Sequence, residues 1–531
     1  MSLAEPTPWA SLLNAGQAAA AHGDWSQAEM WCDLILAGHS NHGRAVLAVG
    51  ALEGQLGNLE KAESACTWAH QLMPDDPRPL VNLANCWQSS LRQKEALGLY
   101  EQITNRWPHE NRHWHNHLMA LAYVPGAVAA DAKALAMRWA NQLPAPELES
   151  TDFSYLEPLQ GRKLRLGFLS ADLYQHTVGL LLLPVVQALN RSVIDLFLYS
   201  ASPRTDWLSE DLKGYGQWRD IVARNDATVA RQIRADHIDV LIDLGGHTAG
   251  TRLPVLHHQA APVQLSWLGY WGSTGLRTID GVILDDHSAP VDSGVAKSFC
   301  EPVLRMAKSR WCYKPVPWMP KPNESPALSN GYITFGSFNN TAKINHELLD
   351  TWAQILLQVP NSRLVLKWKT LRDHRLRILL LKAFELAGVN SIRIDLRGAS
   401  VHAQMLQEYG DVDVALDPFP FGGGLTSCEA LWLGLPLVTM RCLNSAACAA
   451  GLQGAALLEA INKREWIAEN TKEYIQIARD LALSPALLSS IRSCLRAEMR
   501  SQAFSNATSI SKALEEVVER AYRDTNYGNM D

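Results

Sequence analysis

The N-terminal part of the chain repeats its pattern of small and large apolar positions every 34 residues. Three sets of positions between residues 10 and 111 keep this register: Gly16, Gly50 and Ala84; Ala28, Ala62 and Ala96; Cys32, Cys66 and Tyr100. Small residues let paired helices approach closely, the larger residue fills the groove between them, and Pro74 and Pro108 end two of the units. The pattern predicts three stacked helical hairpins over residues 1–111, which residues 112–160 extend or cap.

From residue 162 the pattern changes to short apolar runs separated by amphipathic stretches. Nearly continuous apolar runs predict strands buried on both faces of a parallel sheet. In the first half these runs are 163–170, 195–200, 238–244, 263–269 and 281–286. In the second half they are 332–338, 363–368, 391–398, 412–417 and 436–440.

The two sets of strands predict an α/β fold that follows the α-helical array in the sequence. The five prolines of residues 313–326 exclude a helix or a central strand, so we place a linker at 313–328. The fold class is then a helical superhelix followed by two Rossmann-like, doubly wound domains at 161–312 and 329–531. We expect a cleft between these domains, opposite the carboxyl ends of their strands.

Composition narrows the class of ligand and the compartment. The chain of 531 residues has a net charge of -6 and 19% charged residues, so it has no general attraction to nucleic acid or an anionic membrane. The nine cysteines are scattered without a CxxC pair, which favours reduced thiols in a cytoplasmic protein. The first residues lack a basic signal region, and no run approaches about 18 apolar residues. We expect neither export nor a membrane span.

Residues 416–440 combine a strand end, a glycine turn, a helix and a second strand. The turn and the start of the helix contain Gly422, Gly423, Gly424, Thr426, Ser427 and Glu429. The glycines permit positive φ, the hydroxyl residues can cap the helix, and the N–H groups of such a turn can point at one anion. The glutamate, placed in the first helical turn, would repel phosphate and could instead accept hydrogen bonds from a ribose. An ordinary strand-to-helix connection explains the stretch equally well.

Polar residues also follow the predicted strands of the first sheet. His176 begins the helix after strand 163–170, where an uncharged imidazole could act as a base toward a hydroxyl or simply face water. Two glycine turns follow later strands of the same sheet and contain Asp243, Gly245, Gly246, His247 and Thr248 in one, and Gly269, Tyr270, Gly272 and Gly275 in the other. We expect these turns to converge.

Lys343 follows the first strand of the second sheet, together with Asn339 and Asn340. Its ammonium could neutralise a diphosphate leaving group without a metal, although a lysine at a helix start is also commonly a solvated charge. No acidic pair or His/Cys cluster suggests a metal site, and neither half has GxGxxG after its first strand, which disfavours hydride transfer. We expect a nucleotide sugar as donor substrate, with no metal and no further cofactor.

Five segments together resemble the O-linked N-acetylglucosaminyltransferase and SPINDLY family, glycosyltransferase family 41, in its bacterial form. They are FLSADLYQHTVG, IDLGGHTAGTR, APVQLSWLGYWGSTG, FGSFNNTAKINHELLDTWAQIL and ALDPFPFGGGLTSCEALWLGLPLVT. The 34-residue units resemble tetratricopeptide repeats, which in this family precede two Rossmann-like halves of the GT-B type. The resemblance extends over nearly the whole chain.

The resemblance implies an inverting, metal-independent transfer of N-acetylglucosamine from UDP-N-acetylglucosamine to Ser or Thr of intracellular proteins. It implies that His176 is the active-site histidine, that Lys343 contacts the diphosphate, and that Asn340 is a polar residue of the donor pocket. The turns around Asp243 and Tyr270 match segments that line the sugar pocket. Arrays of this type usually bind protein segments on their concave face, so protein acceptors are the expected partners. An array with one open end could also pair two copies.

The chain departs from the pattern of the animal enzyme at the donor turn. That enzyme has His-Thr-Thr and then Asp, whereas this chain has Gly424, Leu425 and Thr426 and then Glu429. This is closer to the plant SPINDLY and bacterial pattern, and it leaves a GDP-sugar such as GDP-fucose open as the donor.

Two further departures concern the donor pocket and the sugar loop. His402 could replace a pocket histidine of the animal enzyme through a shifted helix, or it is an ordinary surface histidine. Trp271 stands where the family usually has proline. An alternative of another class is a catalytically idle scaffold whose repeats bind partners, against which the presence of His176 and Lys343 argues.

Overall fold

The computed structural model describes residues 8–146, 153, 159 and 161–527, with the side chains of residues 526 and 527 excepted. The described residues form two compact units. The first unit contains 8–125, 320–419 and 471–489, and the second contains 126–146, 161–319, 420–470 and 490–527. Each unit therefore combines segments that are far apart in the sequence. The sequential boundaries after residues 111, 160, 312 and 328 stay predictions.

Helices precede the first strand, as the 34-residue period predicts. They are α1 (Pro8–Ala21), α2 (Trp25–His39), α3 (Gly43–Leu56), α4 (Leu59–Leu72), α5 (Arg78–Gln88), α6 (Gln93–Arg106), α7 (Asn111–Ala122) and α8 (Ala129–Ala140). Ala28, Ala62 and Ala96, one period apart on α2, α4 and α6, are all fully buried. The predicted helical repeat region is confirmed, because the small positions lie where neighbouring helices pack.

The first sheet lies in the second unit and is parallel throughout. Its elements are β1 (Leu164–Ser170), α9 (Thr177–Ala188), β2 (Ile194–Ser200), α10 (Trp207–Lys213), β3 (Gln217–Asp220), α11 (Asp226–Ala235), β4 (Val240–Asp243), α12 (Leu253–His257), β5 (Val263–Ser266), β6 (Gly281–Leu284) and β7 (Val303–Arg305). The strand order is β3-β2-β1-β4-β5-β6-β7, with Leu166 opposite Leu196 on one side of β1 and Val240 on the other.

The second run of strands begins after the proline-rich segment. Its elements are α13 (Ala327–Asn330), β8 (Ile333–Ser337), α14 (His346–Gln358), β9 (Ser362–Lys367), α15 (His374–Leu386), β10 (Ile394–Arg397), α16 (His402–Glu408), β11 (Val414–Leu416), α17 (Leu425–Trp432), β12 (Leu437–Met440), α18 (Gln453–Ala460), β13 (Ile467–Ala468), α19 (Thr471–Ala482), α20 (Pro485–Ser501) and α21 (Ala507–Tyr527). In the first unit the order is β10-β9-β8-β11, all parallel. In the second unit β12 and β13 pair in parallel.

Both runs of strands contain a topological switch point. From β1 the chain continues outward through β2 and β3, and then returns to the other side of β1 as β4. From β8 it continues outward through β9 and β10, and returns beside β8 as β11. Ligands of open parallel sheets bind beyond the carboxyl ends of the strands at such points. Candidate ligand-binding loops therefore follow β1 and β4 in the second unit, and β8 and β11 in the first.

Two predictions from composition can be compared with the structure. All nine cysteines are free thiols, and Cys32, Cys66 and Cys428 are fully buried, as expected of reduced core residues. Within residues 8–146 and 161–527, no helix combines the length and the apolar character that crossing a bilayer requires.

Candidate functional site

His176 lies at the switch point of the first sheet. It is the N-cap of α9, and its Nδ1 lies 3.4 Å from the backbone nitrogen of Val178 and 3.5 Å from a carboxylate oxygen of Asp172. Burial raises the pKa of Asp172, and the positive charges of His176, when it is protonated, and of Arg204 oppose that shift. The predicted position of His176 at the start of a helix is confirmed. Asp172 is a residue that sequence reasoning missed, although it stands four residues earlier in the same motif.

The turn after β4 is fixed by a buried carboxylate. Asp243 accepts hydrogen bonds from the backbone N–H groups of Gly245, at 3.2 Å, and Gly246, at 2.6 Å. Burial raises the pKa of Asp243 to about 6 despite these two bonds. Gly246 has a φ of 52°, and a Cβ there would lie 2.2 Å from Cβ of Tyr270, so only glycine fits. Thr248 closes the turn by donating to the carbonyl of Gly245 at 2.8 Å.

His247 lies beneath this turn and is fully buried. Its ring packs edge-on against Trp139, with the ring centroids 4.7 Å apart, and against Tyr270, at 5.3 Å. Nε2 lies 2.9 Å from the carbonyl oxygen of Thr274, and burial lowers the pKa of His247 to about 3. A neutral imidazole that donates to this carbonyl joins the turn after β4 to the loop after β5. The prediction that these turns line a sugar pocket remains a prediction.

The loop over residues 269–275 is tied down by a buried glutamate. Glu301 accepts hydrogen bonds from the Ser273 hydroxyl at 2.7 Å, from the backbone N–H of Thr274 at 2.7 Å, and from the Thr274 hydroxyl. Tyr270, which stands between Gly269 and Gly272 in the sequence, is buried, and a Cβ at Gly272 would lie 3.2 Å from Cε1 of its ring. No feature of the sequence around residue 301 pointed to this role.

Trp271, which departs from the family's usual proline, contacts the stretch that precedes the donor turn. Its ring meets Phe421 edge-on, with centroids 4.5 Å apart, and its carbonyl accepts from the N–H of Ala449 at 3.1 Å. The loop after β5 and the glycine turn are therefore packed together within the second unit. The large side chain of Trp271 is part of this packing.

At the glycine turn Gly424 has a φ of -111°, so it does not use the positive φ that glycine permits. The helix that follows differs from its prediction in two respects. The helix α17 begins at Leu425 with Gly424 as its N-cap, which corrects the assignment of Thr426 and Ser427 as capping residues. Its first turn contains no acidic residue, since Glu429 lies one turn later. The physical reason is that the chain turns into the helix at Gly424, two residues before Thr426 and three before Ser427, whose hydroxyl side chains suggested a later start.

The turn is supported from within the second unit. Gln453 donates from its Nε2 to the carbonyl of Gly422 at 2.8 Å, and the N–H of Gly422 donates to Ala450 at 3.1 Å. Ser427 and Glu429 are each only 2% exposed. The contact between Glu429 and a ribose stays a prediction, because this carboxylate lies inside the unit.

Lys343 lies at the switch point of the first unit, at the end of a 3-10 turn that follows β8. Its Nζ is 3.3 Å from Oδ1 of Asn339. The pKa of Lys343 is lowered to about 8 because burial disfavours the ammonium, an effect that the negative charge of Asp417 opposes. Asp417 follows β11 and is fully buried. The alternative of a solvated surface lysine is therefore wrong: Lys343 is a partly buried cation beside a carboxylate.

The two other candidates of the first unit have modest roles in this structure. Oδ1 of Asn340 accepts from the backbone N–H of Ala342 at 3.1 Å and so caps the 3-10 turn. His402 is the first residue of α16 and is half-buried. Their predicted contacts with a donor stay predictions. In the described residues no group of three or more His, Cys, Asp or Glu side chains has the geometry of a metal site.

Comparison with known proteins places this geometry in a family. Residues 101–312 and 323–513 match the family described as glycosyl transferase family 41. The SPINDLY protein of Arabidopsis thaliana, described as a probable UDP-N-acetylglucosamine–peptide N-acetylglucosaminyltransferase, is 36% identical over 337 residues, which are 62% of this chain and 36% of that protein. SPINDLY of Oryza sativa subsp. japonica is 32% identical over 401 residues, 74% of this chain and 42% of that protein. The chain thus matches less than half the length of these relatives.

A solved structure is similar over almost the full length. It is a mutant of the Thermobaculum terrenum O-GlcNAc transferase in which a lysine is replaced by methionine. The two chains superpose with a TM-score of 0.87 at 31% sequence identity, and 99% of each chain is covered. The predicted GT-B architecture and the predicted family are both confirmed, and the chain belongs to glycosyl transferase family 41.

Proposed function

We propose that this chain transfers N-acetylglucosamine from UDP-N-acetylglucosamine to the hydroxyl of Ser or Thr in a protein. The observation that carries the proposal is the similarity over 99% of the chain to a protein named as an O-GlcNAc transferase. The names of the SPINDLY relatives specify the same donor and a peptide acceptor. The partly buried cation after β8 supplies the chemistry that such a donor needs.

Lys343 is the proposed partner of the donor diphosphate. When the bond between the anomeric carbon and the diphosphate oxygen breaks, negative charge develops on the leaving group. An ammonium held in a partly desolvated position stabilises that charge more strongly than a solvated one would, without reorganising during the step. Metal independence belongs to the proposal because Lys343 provides this cation.

His176 is the proposed acceptor of the proton that the attacking Ser or Thr hydroxyl loses. The acceptor oxygen attacks the anomeric carbon opposite the diphosphate, so the configuration inverts, and the hydroxyl proton must leave. A base role for Nε2 requires the tautomer in which Nδ1–H faces the Asp172 carboxylate, 3.5 Å away. The other tautomer, with Nδ1 accepting from Val178, would make Nε2 a hydrogen-bond donor to the substrate.

Acceptors and compartment are also part of the proposal. We place acceptor segments along the concave face of the helical array, since stacked hairpins expose such a face. A cytoplasmic location is supported by nine free cysteines, which suit a reducing compartment. Pairing of two copies through the array is the remaining part of the proposal, and a measurement of molecular mass in solution tests it.

The proposal is tested by titrating the pure protein with UDP, GDP, UDP-N-acetylglucosamine and GDP-fucose in EDTA, with binding followed by calorimetry and thermal shift. We expect the uridine ligands to bind and the guanosine ligands to bind at least about tenfold more weakly, and an acceptor peptide to gain one N-acetylhexosamine by mass spectrometry. Preference for guanosine would show that the donor is a GDP-sugar such as GDP-fucose. Binding that fails in EDTA and returns with magnesium would contradict metal independence. Absence of binding to any of the four would favour the idle scaffold.

The affinity for UDP should also depend on pH through Lys343. Its lowered pKa of about 8 means that the ammonium is present below this pH and is lost as the pH rises through it. We therefore expect the Kd for UDP to be nearly constant from pH 6.5 to 7.5 and to rise by up to about tenfold per pH unit above pH 8. In Lys343→Arg the guanidinium stays charged, so the same titration should be flat. A native profile that is flat to pH 9.5 would contradict the role of the lysine.

A further inference from the structure

The helical array contacts the backbone around Lys343 through one buried side chain. Gln93, the first residue of α6, is 4% exposed. Its Nε2 donates to the carbonyl oxygen of Ala342 at 3.2 Å and to that of Ile344 at 2.6 Å. These are the carbonyls on either side of Lys343. A single amide group of the array therefore donates to the backbone carbonyls of the two residues that flank the proposed diphosphate residue.

The segment that carries Lys343 has other supports, but they act at its ends. Asn340 caps its start, and the Asn345 side chain anchors its end by donating to the carbonyl of Phe419 at 2.8 Å. Thr341 bonds through its hydroxyl to that of Thr370 at 2.7 Å. Gln93, by contrast, contacts the backbone carbonyls of the residues immediately before and after Lys343.

The array is also bound directly to residues 369–373 of the first unit. Arg372 pairs with Glu29 of α2 at 2.5 Å, and the Asp373 carboxylate accepts from the backbone N–H of Glu60 in α4 at 2.9 Å. At Gly57 the backbones approach so closely that a Cβ would lie 2.6 Å from the carbonyl oxygen of Lys369. Array and sheet thus form one packed body within the first unit, which contains both Gln93 and Lys343.

We propose that Gln93 is a positioning residue through which the helical array sets Lys343 for the donor diphosphate. The inference rests on the proposed function of Lys343. It gives the array a second role besides binding acceptors. Gln93, at the start of α6, holds the backbone that carries the proposed diphosphate residue. Both carbonyls would lose a buried donor if the amide were removed, and the peptide units around Lys343 could then rotate. A displacement of about 1 Å is enough to cost a large part of the rate.

The test is a double-mutant cycle between Gln93→Met and Lys343→Met. Methionine keeps the length of glutamine and has no donor. We expect Gln93→Met to raise the Kd for UDP and to lower kcat/KM for the donor by roughly tenfold, with the KM for an acceptor peptide unchanged. In the Lys343→Met background the same change should alter these quantities less than about twofold, because the group that it positions is gone.

The control is Gln102→Leu, an exposed glutamine on the same helix, which should behave as the native chain. Equal effects of Gln93→Met with and without Lys343, or no effect on UDP binding, would overturn the inference while leaving the proposed function intact. If the native chain binds no nucleotide, the proposed function fails and the inference falls with it. Should Gln93→Met fail to fold, Gln93→Asn replaces it in the cycle, since its shorter amide cannot reach both carbonyls.

Discussion

Lys343→Met should lower the turnover number by at least about two orders of magnitude at saturating donor and acceptor, equivalent to about 2.7 kcal/mol of lost transition-state stabilisation. The ammonium lies beside the buried carboxylate of Asp417 and near Oδ1 of Asn339, so its position is defined before any ligand binds. Methionine fills the same volume without the charge. Because the charge on the diphosphate grows as the glycosidic bond breaks, the loss should be larger in kcat than in the Kd for the donor.

The matched control is Lys382→Met, which removes an exposed lysine of α15 in the same unit. Both variants should show the native far-ultraviolet circular dichroism spectrum, and only the first should lose turnover. Initial rates are measured by transfer to an acceptor peptide. A folded Lys343→Met variant with more than about a third of native turnover would remove the lysine from the mechanism.

The buried strands could be predicted because burial on both faces leaves a direct trace in the sequence. All five predicted runs of the first half contain a strand, and so do the five of the second half. The strands that were missed are β3, β7 and β13, of which β3 and β7 are edge strands with partly exposed residues. An edge strand carries polar side chains, so its pattern does not differ from that of a loop. The two residues of β13 are too few to form a pattern.

Helix boundaries at the donor turn show a second limit of prediction. Thr426 and Ser427 have side chains that suit an N-cap, yet Gly424 takes that position because the preceding segment is held by Gln453 and by the packing of Phe421 on Trp271. Local propensity was overridden by contacts with residues far away in the sequence.

The candidate site shows the same division between local and long-range information. His176 and Lys343 could be found because each directly follows a strand at a switch point, which is a local feature. Their partners Asp172 and Asp417 are also at strand ends, and that position was the available signal. Gln93 and Glu301 could not be found, because each acts on a segment at least 27 residues away and lies in an ordinary helix or loop.

Glu301→Ala should lower the free energy of unfolding by about 3 kcal/mol and the melting temperature of the second unit by roughly 10 °C. The carboxylate accepts from Ser273 and twice from Thr274, and all three donors are buried. Alanine leaves the N–H of Thr274 without an acceptor and opens a cavity where the carboxylate was. Glu301→Gln keeps the volume but turns an N–H₂ group toward a donor, so an intermediate loss is expected.

Glu301→Ala should also weaken binding of the nucleotide sugar, because Glu301 holds the loop over residues 269–275. The carbonyl of Thr274 accepts from His247, and Trp271 of the same loop packs on Phe421 before the glycine turn. Release of Thr274 therefore loosens both contacts, and the KM for the nucleotide sugar should rise by roughly tenfold or more while UDP, which lacks the sugar, loses less affinity. Glu465→Ala, at an exposed glutamate of the same unit, is the control. Melting within about 1 °C of that control would show that the buried carboxylate does not hold the loop, whereas a large thermal loss with an unchanged KM would separate the loop from the sugar pocket.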